Sequence, residues 1–212
     1  VKICRMVLCV LLCLSLLVAC NQPTDKEAYY KIQKKLGELE SYECIARVNV
    51  INDDEEITEY TYKQIFKKPD SYRLEVLYPD SIKGNLMVSN GKIAWVYSPS
   101  INHTYKIDFT QKQQNELLFI GYFMKNYITS KESEINSETN NKRQLIVIST
   151  DIPGGNQHFS KQKLWFDRKS LLPTQLQILD GQNKPVFNVY YEDFNYNPKL
   201  EDNIFHLNTQ SQ

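Results

Sequence analysis

Glycine and proline are scarce, 7 and 8 in 212 residues, which excludes a collagen-like repeat and a Pro/Gly-rich disordered chain. No charge of one sign dominates: 25 basic side chains balance 25 acidic ones, and Lys and Arg never gather into a long run. The electrostatic footprint of a nucleic-acid binder or a polybasic membrane clamp is missing, so no nucleic-acid partner is expected. Cysteine is nearly absent from the body of the chain. Four of the five, Cys4, Cys9, Cys13 and Cys20, lie at its start, and Cys44 alone follows. A lone thiol closes no intramolecular disulfide, so the domain must be held by core packing, with Cys44 a buried structural thiol. Catalytic signatures are missing too. There is no G-x-S-x-G elbow, H-E-x-x-H or Walker loop, and His103, His158 and His206 stand far apart without a second ligand at metal spacing. Asp167, Asp180, Glu192 and Asp193 fall at expected strand ends, where turn and surface roles account for them. Pro153-Gly154-Gly155 lacks the helix and Lys of a phosphate loop and reads as a plain turn. No metal, cofactor or catalytic activity is expected.

One long apolar run is present, Met6 to Val18, behind Lys2 and Arg5. It is too short to span a bilayer and has the layout of a secretory signal. Leu17-Val18-Ala19-Cys20 follows the four-residue lipobox of bacterial lipoproteins. There a thiolate takes up a diacylglyceryl group, and small residues leave the bond before it open to the signal peptidase. Residues 1–19 are thus expected to be cleaved between Ala19 and Cys20, with Cys20 lipidated and residues 20–24 a short tether. Residues 25–212 would form a single domain anchored to the outer face of a bacterial membrane rather than spanning it.

The mature chain alternates between two periods. Residues 25–40 have a helical one, with Thr24 and Glu27 spaced as a capping box and Tyr29, Ile32, Leu36 and Leu39 on one face. From Tyr42 the period is two: Tyr42, Cys44, Ala46, Val48 and Val50 share a side, and the acidic tip Asp53-Asp54-Glu55-Glu56 turns the chain into a second strand, 57–66. Further strands are expected at 72–77, 84–89, 92–97 and 105–109, with an Asn90-Gly91 hairpin turn. A second helix is expected at 111–128 from its apolar face of Leu117, Leu118, Phe119, Tyr122, Phe123 and Tyr127. Strands at 130–137, 144–150, 159–167, 174–179 and 186–194 complete a mainly β, α+β model of about ten antiparallel strands and two helices.

The segments Phe66-Lys67-Lys68-Pro69-Asp70-Ser71-Tyr72-Arg73 and Val88-Ser89-Asn90-Gly91-Lys92-Ile93-Ala94-Trp95-Val96-Tyr97-Ser98-Pro99 resemble those of the LolA/LppX-type lipoprotein carriers. Leu164-Trp165-Phe166-Asp167, Leu172-Pro173, Asp180-Gly181, Tyr191-Glu192-Asp193-Phe194, Asn197-Pro198-Lys199-Leu200 and Phe205 match that family's closing hairpins and tail in order. The resemblance implies a single curved antiparallel sheet, an incomplete barrel whose open side is covered by two or three helices. A lipid anchor on Cys20 departs from a soluble carrier. Within the fold family the chain is more similar to the lipid-anchored germination lipoproteins of clostridial spores. That likeness implies a non-enzymatic protein of the forespore or spore envelope that binds and activates a zinc-dependent N-acetylmuramoyl-L-alanine amidase. Such an enzyme trims stem peptides in the cortex so that muramic lactam can form and germination can proceed, and the zinc would be the partner's.

Trp95, Tyr97 and Tyr105 are candidate anchors for such a partner, with burial in the barrel as the alternative. An edge strand could also pair two copies into a homodimer. The competing function is lipid or lipoprotein carriage, with an acyl chain held in the barrel; it requires a uniformly apolar, roomy interior, whereas abundant Tyr and Phe at strand positions favour a filled one. An envelope stress sensor is a third reading, weakened by the lack of a spanning helix.

Overall fold

The computed structural model describes residues 24–107, 116–130 and 132–207. Helix α1, Asp25–Gly37, starts as its sequence dictates: Thr24 Oγ1 accepts the Glu27 amide at 3.3 Å and Glu27 Oε2 accepts the Thr24 amide at 2.8 Å. It buries Ala28, Ile32 and Leu36. The helix ends three residues short of the expected 40 because the next residues are claimed from elsewhere. Asn197 takes the Glu40 and Ser41 amides on Oδ1, at 2.8 and 3.1 Å, and donates to the Glu38 carbonyl at 2.9 Å.

Strands β1 (Ser41–Ile51), β2 (Ile57–Lys67), β3 (Ser71–Tyr78), β4 (Leu86–Asn90), β5 (Ala94–Ser98) and β6 (His103–Lys106) form an antiparallel meander. The Asn90-Gly91 turn forms as expected, with Asn90 Oδ1 accepting the Lys92 and Ile93 amides and Gly91 at φ +86°. Strand β6 lies earlier than the expected 105–109, of which 108–109 are outside the described residues. Helix α2, Ile120–Thr129, crosses to the second meander: β7 (Ser133–Asn140), β8 (Arg143–Asp151), β9 (Lys161–Asp167), β10 (Pro173–Leu179) and β11 (Pro185–Tyr196). Short 3-10 turns lie at Asp80–Ile82 and Asp202–Phe205.

All eleven strands join one antiparallel sheet in the order β6-β5-β4-β3-β2-β1-β11-β10-β9-β8-β7. The two meanders meet where β1 pairs β11, and the sheet is left open between β6 and β7, the expected incomplete barrel. At that central seam, Glu43 pairs Asn195 while Ile45 pairs Glu192, so Asp193 and Phe194 form a bulge opposite Cys44, with Asp193 at φ +51°. A bulge bends and twists the sheet there, and Asp tolerates the left-handed backbone better than most residues.

Both helices lie on the inner face. Their apolar sides join Tyr42, Cys44, Ala46, Val48, Phe66, Tyr72, Ile146, Ile148, Leu164, Phe166 and Leu176 in one core. The outer face carries two smaller clusters, Ile65, Leu86 and Val88 under Phe205 of the C-terminal turn, and Leu145 and Val147 with Trp165.

Candidate interaction surface

Helix α2 was expected at 111–128; residues 111–115 lie outside the described ones, Glu116 is helical, and Leu117–Phe119 form a turn before a helix that begins at Ile120. Buried polar groups of the sheet set this start. The Tyr42 hydroxyl donates to Gln64 Oε1 at 2.8 Å and accepts the Ile120 amide at 3.1 Å. Gln64 Nε2 and the Tyr191 hydroxyl both donate to the Leu118 carbonyl, at 3.3 and 3.0 Å. Farther along, Gln162 of β9 donates to the Phe123 carbonyl at 3.3 Å and accepts from Asn126. Burial drives the Tyr42 and Tyr191 phenols well above their ordinary range, so both remain neutral. The Cys44 thiol is also pushed up, by burial and then by Glu43, and lies 3.9 Å from Gln64 Oε1. It is the inert structural thiol that its alternating segment suggested.

Gln64 and Gln162 were missed as key residues, although a signal was present. Gln64 interrupts a run of apolar inner-face positions, Tyr62-x-Gln64-x-Phe66, and Gln162 opens one, Gln162-x-Leu164-x-Phe166. A polar residue at such a position must find a partner, and here it is the backbone of the turn before α2 for Gln64 and of α2 itself for Gln162. Around these bonds the interior is filled by Tyr42, Phe66, Tyr72, Phe119, Phe123 and Phe166, each fully buried. Between α1 and the sheet a void of only about 10 Å³ remains, lined by Ile32, Leu36, Ile120 and Phe166. That is room for a single water at most.

The candidate anchors stand on the β5–β6 hairpin, and the structure does not gather them. Trp95 pairs Val88 and Lys106, and Tyr97 pairs Leu86 and Thr104, so both face outward beside the Phe205 cluster and are half-buried. Tyr105 pairs Val96, which pairs Met87; it therefore faces inward, 47% exposed, with its ring stacked on His103 at 6.5 Å. Ala19 and Cys20 lie outside the described residues. Among the described residues, no group of three His, Cys, Asp or Glu side chains is placed to hold a metal ion.

Two open regions were not anticipated. At one end of the sheet, the tips of β1–β2 and β10–β11 and the 152–160 loop enclose a cleft of about 900 Å³ that includes Asp53, Glu55, His158, Phe159, Asp180 and Lys184. At the sheet's free edge, a groove of about 460 Å³ runs between α1 and β7, lined by Asp25, Lys26, Tyr29, Ile135, Ser137 and Ile146. Above it, Tyr29 and Tyr127 share a hydrogen bond of 2.6 Å that clasps the two helices, and Gln33 donates to both hydroxyls.

An open antiparallel sheet with two helices packed on its inner face defines the class, an incomplete LolA-like barrel. Within that class, the model of the sporulation protein YdcC-like family matches residues 1–205, and the chain belongs to that family. Sporulation protein YdcC of Bacillus subtilis (strain 168) is 21% identical over 196 residues, which cover 92% of this chain and 57% of that protein. The chain thus spans little more than half the length of this curated relative. An uncharacterized conserved protein from Thermus thermophilus superposes with a TM-score of 0.55 at 12% identity, over 87% of this chain and 97% of that one. A chain from the structure of the CwlD amidase from Clostridioides difficile in complex with the GerS lipoprotein is 32% identical, over 83% of this chain and 98% of its own, with a TM-score of 0.49.

Proposed function

We propose that this protein is a membrane-anchored, non-enzymatic lipoprotein of the spore envelope that binds a cell-wall amidase and holds it in its active state. The observation that carries the reading is the filled interior. A carrier needs space for an acyl chain inside the sheet, and the void between α1 and the sheet is about 10 Å³; the cleft of about 900 Å³ lies outside it, among the hairpin tips, with Asp53, Glu55, Asp180 and Lys184 in its lining. Helix α2 is bonded to the sheet through Tyr42 and Gln162, and the turn leading into it through Gln64 and Tyr191, rather than resting on it as a lid. The work is therefore assigned to the outside of the molecule, as in a binding module. Membership of a sporulation family supplies the setting, and the 32% sequence identity to a chain of an amidase–lipoprotein complex supports the class of partner. A rigid domain that binds one conformation of an enzyme raises that conformation's population by mass action, and no chemistry of its own is needed.

Native mass spectrometry of the full chain in detergent, alone and after co-expression with the host's cortex amidase, tests the reading. The expected result is a stoichiometric protein complex in which the amidase retains more zinc than it does alone. A phospholipid adduct on the lone chain with no amidase complex overturns it in favour of lipid carriage.

A further inference from the structure

The free edge at β7 is unlike any other strand of the sheet. All eight of its residues, Ser133 to Asn140, are exposed, and among the described residues its one strand neighbour is β8. Backbone N–H and C=O groups on its far side are therefore open to a further strand. Proteins commonly blunt such an edge with Pro, Lys or a bulge. Strand β7 has neither Pro nor Lys, and its eight pairs with β8 run without a register shift. The opposite edge, β6, spans four residues and includes Lys106.

We infer that β7 is an acceptor edge for an extended segment of another protein in which apolar residues alternate with Lys or Arg. The two faces of the edge specify that pattern. Glu134 and Glu138 point outward, in register with Ser149 and Leu145 of β8; Glu138 accepts Trp165 Nε1 of β9 at 2.9 Å and leans over β8, so Glu134 is the carboxylate left beside the incoming strand. Ile135 and Ser137 point inward, and Ile135, 44% exposed, lines the groove with Tyr29 and Ile146. Apolar side chains of an added strand would enter that groove while a basic one met Glu134, and opposite charges across a strand pair are favourable. A second copy of the chain is the poorer occupant. Antiparallel pairing about Asn136 would set Glu134 of each copy against Glu138 of the other, and pairing about Ser137 would set each glutamate against an asparagine, so no register of two copies supplies a basic partner for Glu134.

The probe is a fluorescein-labelled peptide of eight alternating Lys and Val residues, with a Glu-Val peptide as its control, added to the full chain in non-ionic detergent. Anisotropy should rise with the Lys-Val peptide, and hydrogen exchange of the 133–140 amides should slow at least tenfold while that of 103–106 is unchanged. Ser137→Pro should abolish binding by interrupting the edge. Because that variant could also disturb the fold, Glu134→Lys, a change at an exposed position, serves as the second. It should weaken the Lys-Val peptide about two- to fivefold and strengthen the Glu-Val peptide by a similar factor. Absence of binding, binding that leaves 133–140 unprotected, or identical affinity in both variants overturns the inference. So does concentration-dependent protection of 133–140 without peptide, which would make a second copy the occupant. None of these outcomes depends on where, or whether, an amidase binds.

Discussion

Gln64 shows how one side chain can decide a local structure. Its amide is fully buried and joins three elements: it accepts from Tyr42 of β1 and donates to the Leu118 carbonyl just before α2, while itself standing on β2. Gln64→Leu keeps the volume approximately but leaves the Tyr42 hydroxyl without its acceptor. We expect a loss of about 2 kcal/mol, read as a lower urea midpoint with unchanged m-value. Tyr42→Phe in the same background should cost less than it does alone, because the two groups are satisfied by each other. Asp167 makes a different kind of prediction. Burial raises its carboxyl, but the Ser170 amide and hydroxyl, the Lys169 amide and Arg143 outweigh this and hold it below its ordinary value of 3.8. A depressed folded-state value means that the stabilisation is complete above about pH 4 and is lost as pH falls through the folded value. Asp167→Asn should therefore cost stability at neutral pH, by less than about 1 kcal/mol because the group is largely solvated, and the gap to wild type should close in denaturation curves recorded at pH 3 and below.

At the scale of elements, the strands were the most legible part of the sequence and the helix boundaries the least. Alternation at Tyr42, Cys44, Ala46 and Val48 identified β1 because its inner face is buried against the helices. Strand β7 was displaced from the expected 130–137 to Ser133–Asn140, and its exposed faces explain why: with nothing buried, no hydrophobic pattern marks the register. The start of α2 was hidden for another reason. Leu117, Leu118 and Phe119 fit a helical apolar face, yet long-range bonds from Tyr42, Gln64 and Tyr191 hold this stretch as a turn. Close packing then requires Gly121 in the first turn of α2, since a Cβ there would lie 2.0 Å from Cζ of Phe66. That ring has little room to yield, being stacked on Tyr42 at 5.6 Å and packed against Phe119 and Tyr122. Gly121→Ala, favourable for an isolated helix, should instead destabilise by about 3 kcal/mol and lower Tm by roughly 6–12 °C in a thermal melt.

For the whole molecule, the anchor and the fold make separable contributions. Cys20→Ser should move the protein from the membrane to the soluble fraction on ultracentrifugation without changing its melting temperature, because the core is formed by residues from Ala28 onward. Continued membrane association would defeat the lipobox reading. By itself the sequence determined what depends on local order: strand and helix types from their periods, the capping box at Thr24, the Asn90-Gly91 turn, the inertness expected of a lone buried thiol, and the incomplete-barrel class through its resemblance. It also favoured binding or carriage, since no local motif spoke for catalysis. Tertiary structure decided what depends on residues far apart in the chain. It separated Trp95 and Tyr97 from Tyr105 onto opposite faces, because strand parity rather than proximity in sequence assigns a side chain to a face. It filled the interior, because whether aromatic residues leave a cavity depends on how two meanders and two helices interlock. It left β7 as an open edge, because a strand's neighbours are chosen by the topology of the entire sheet.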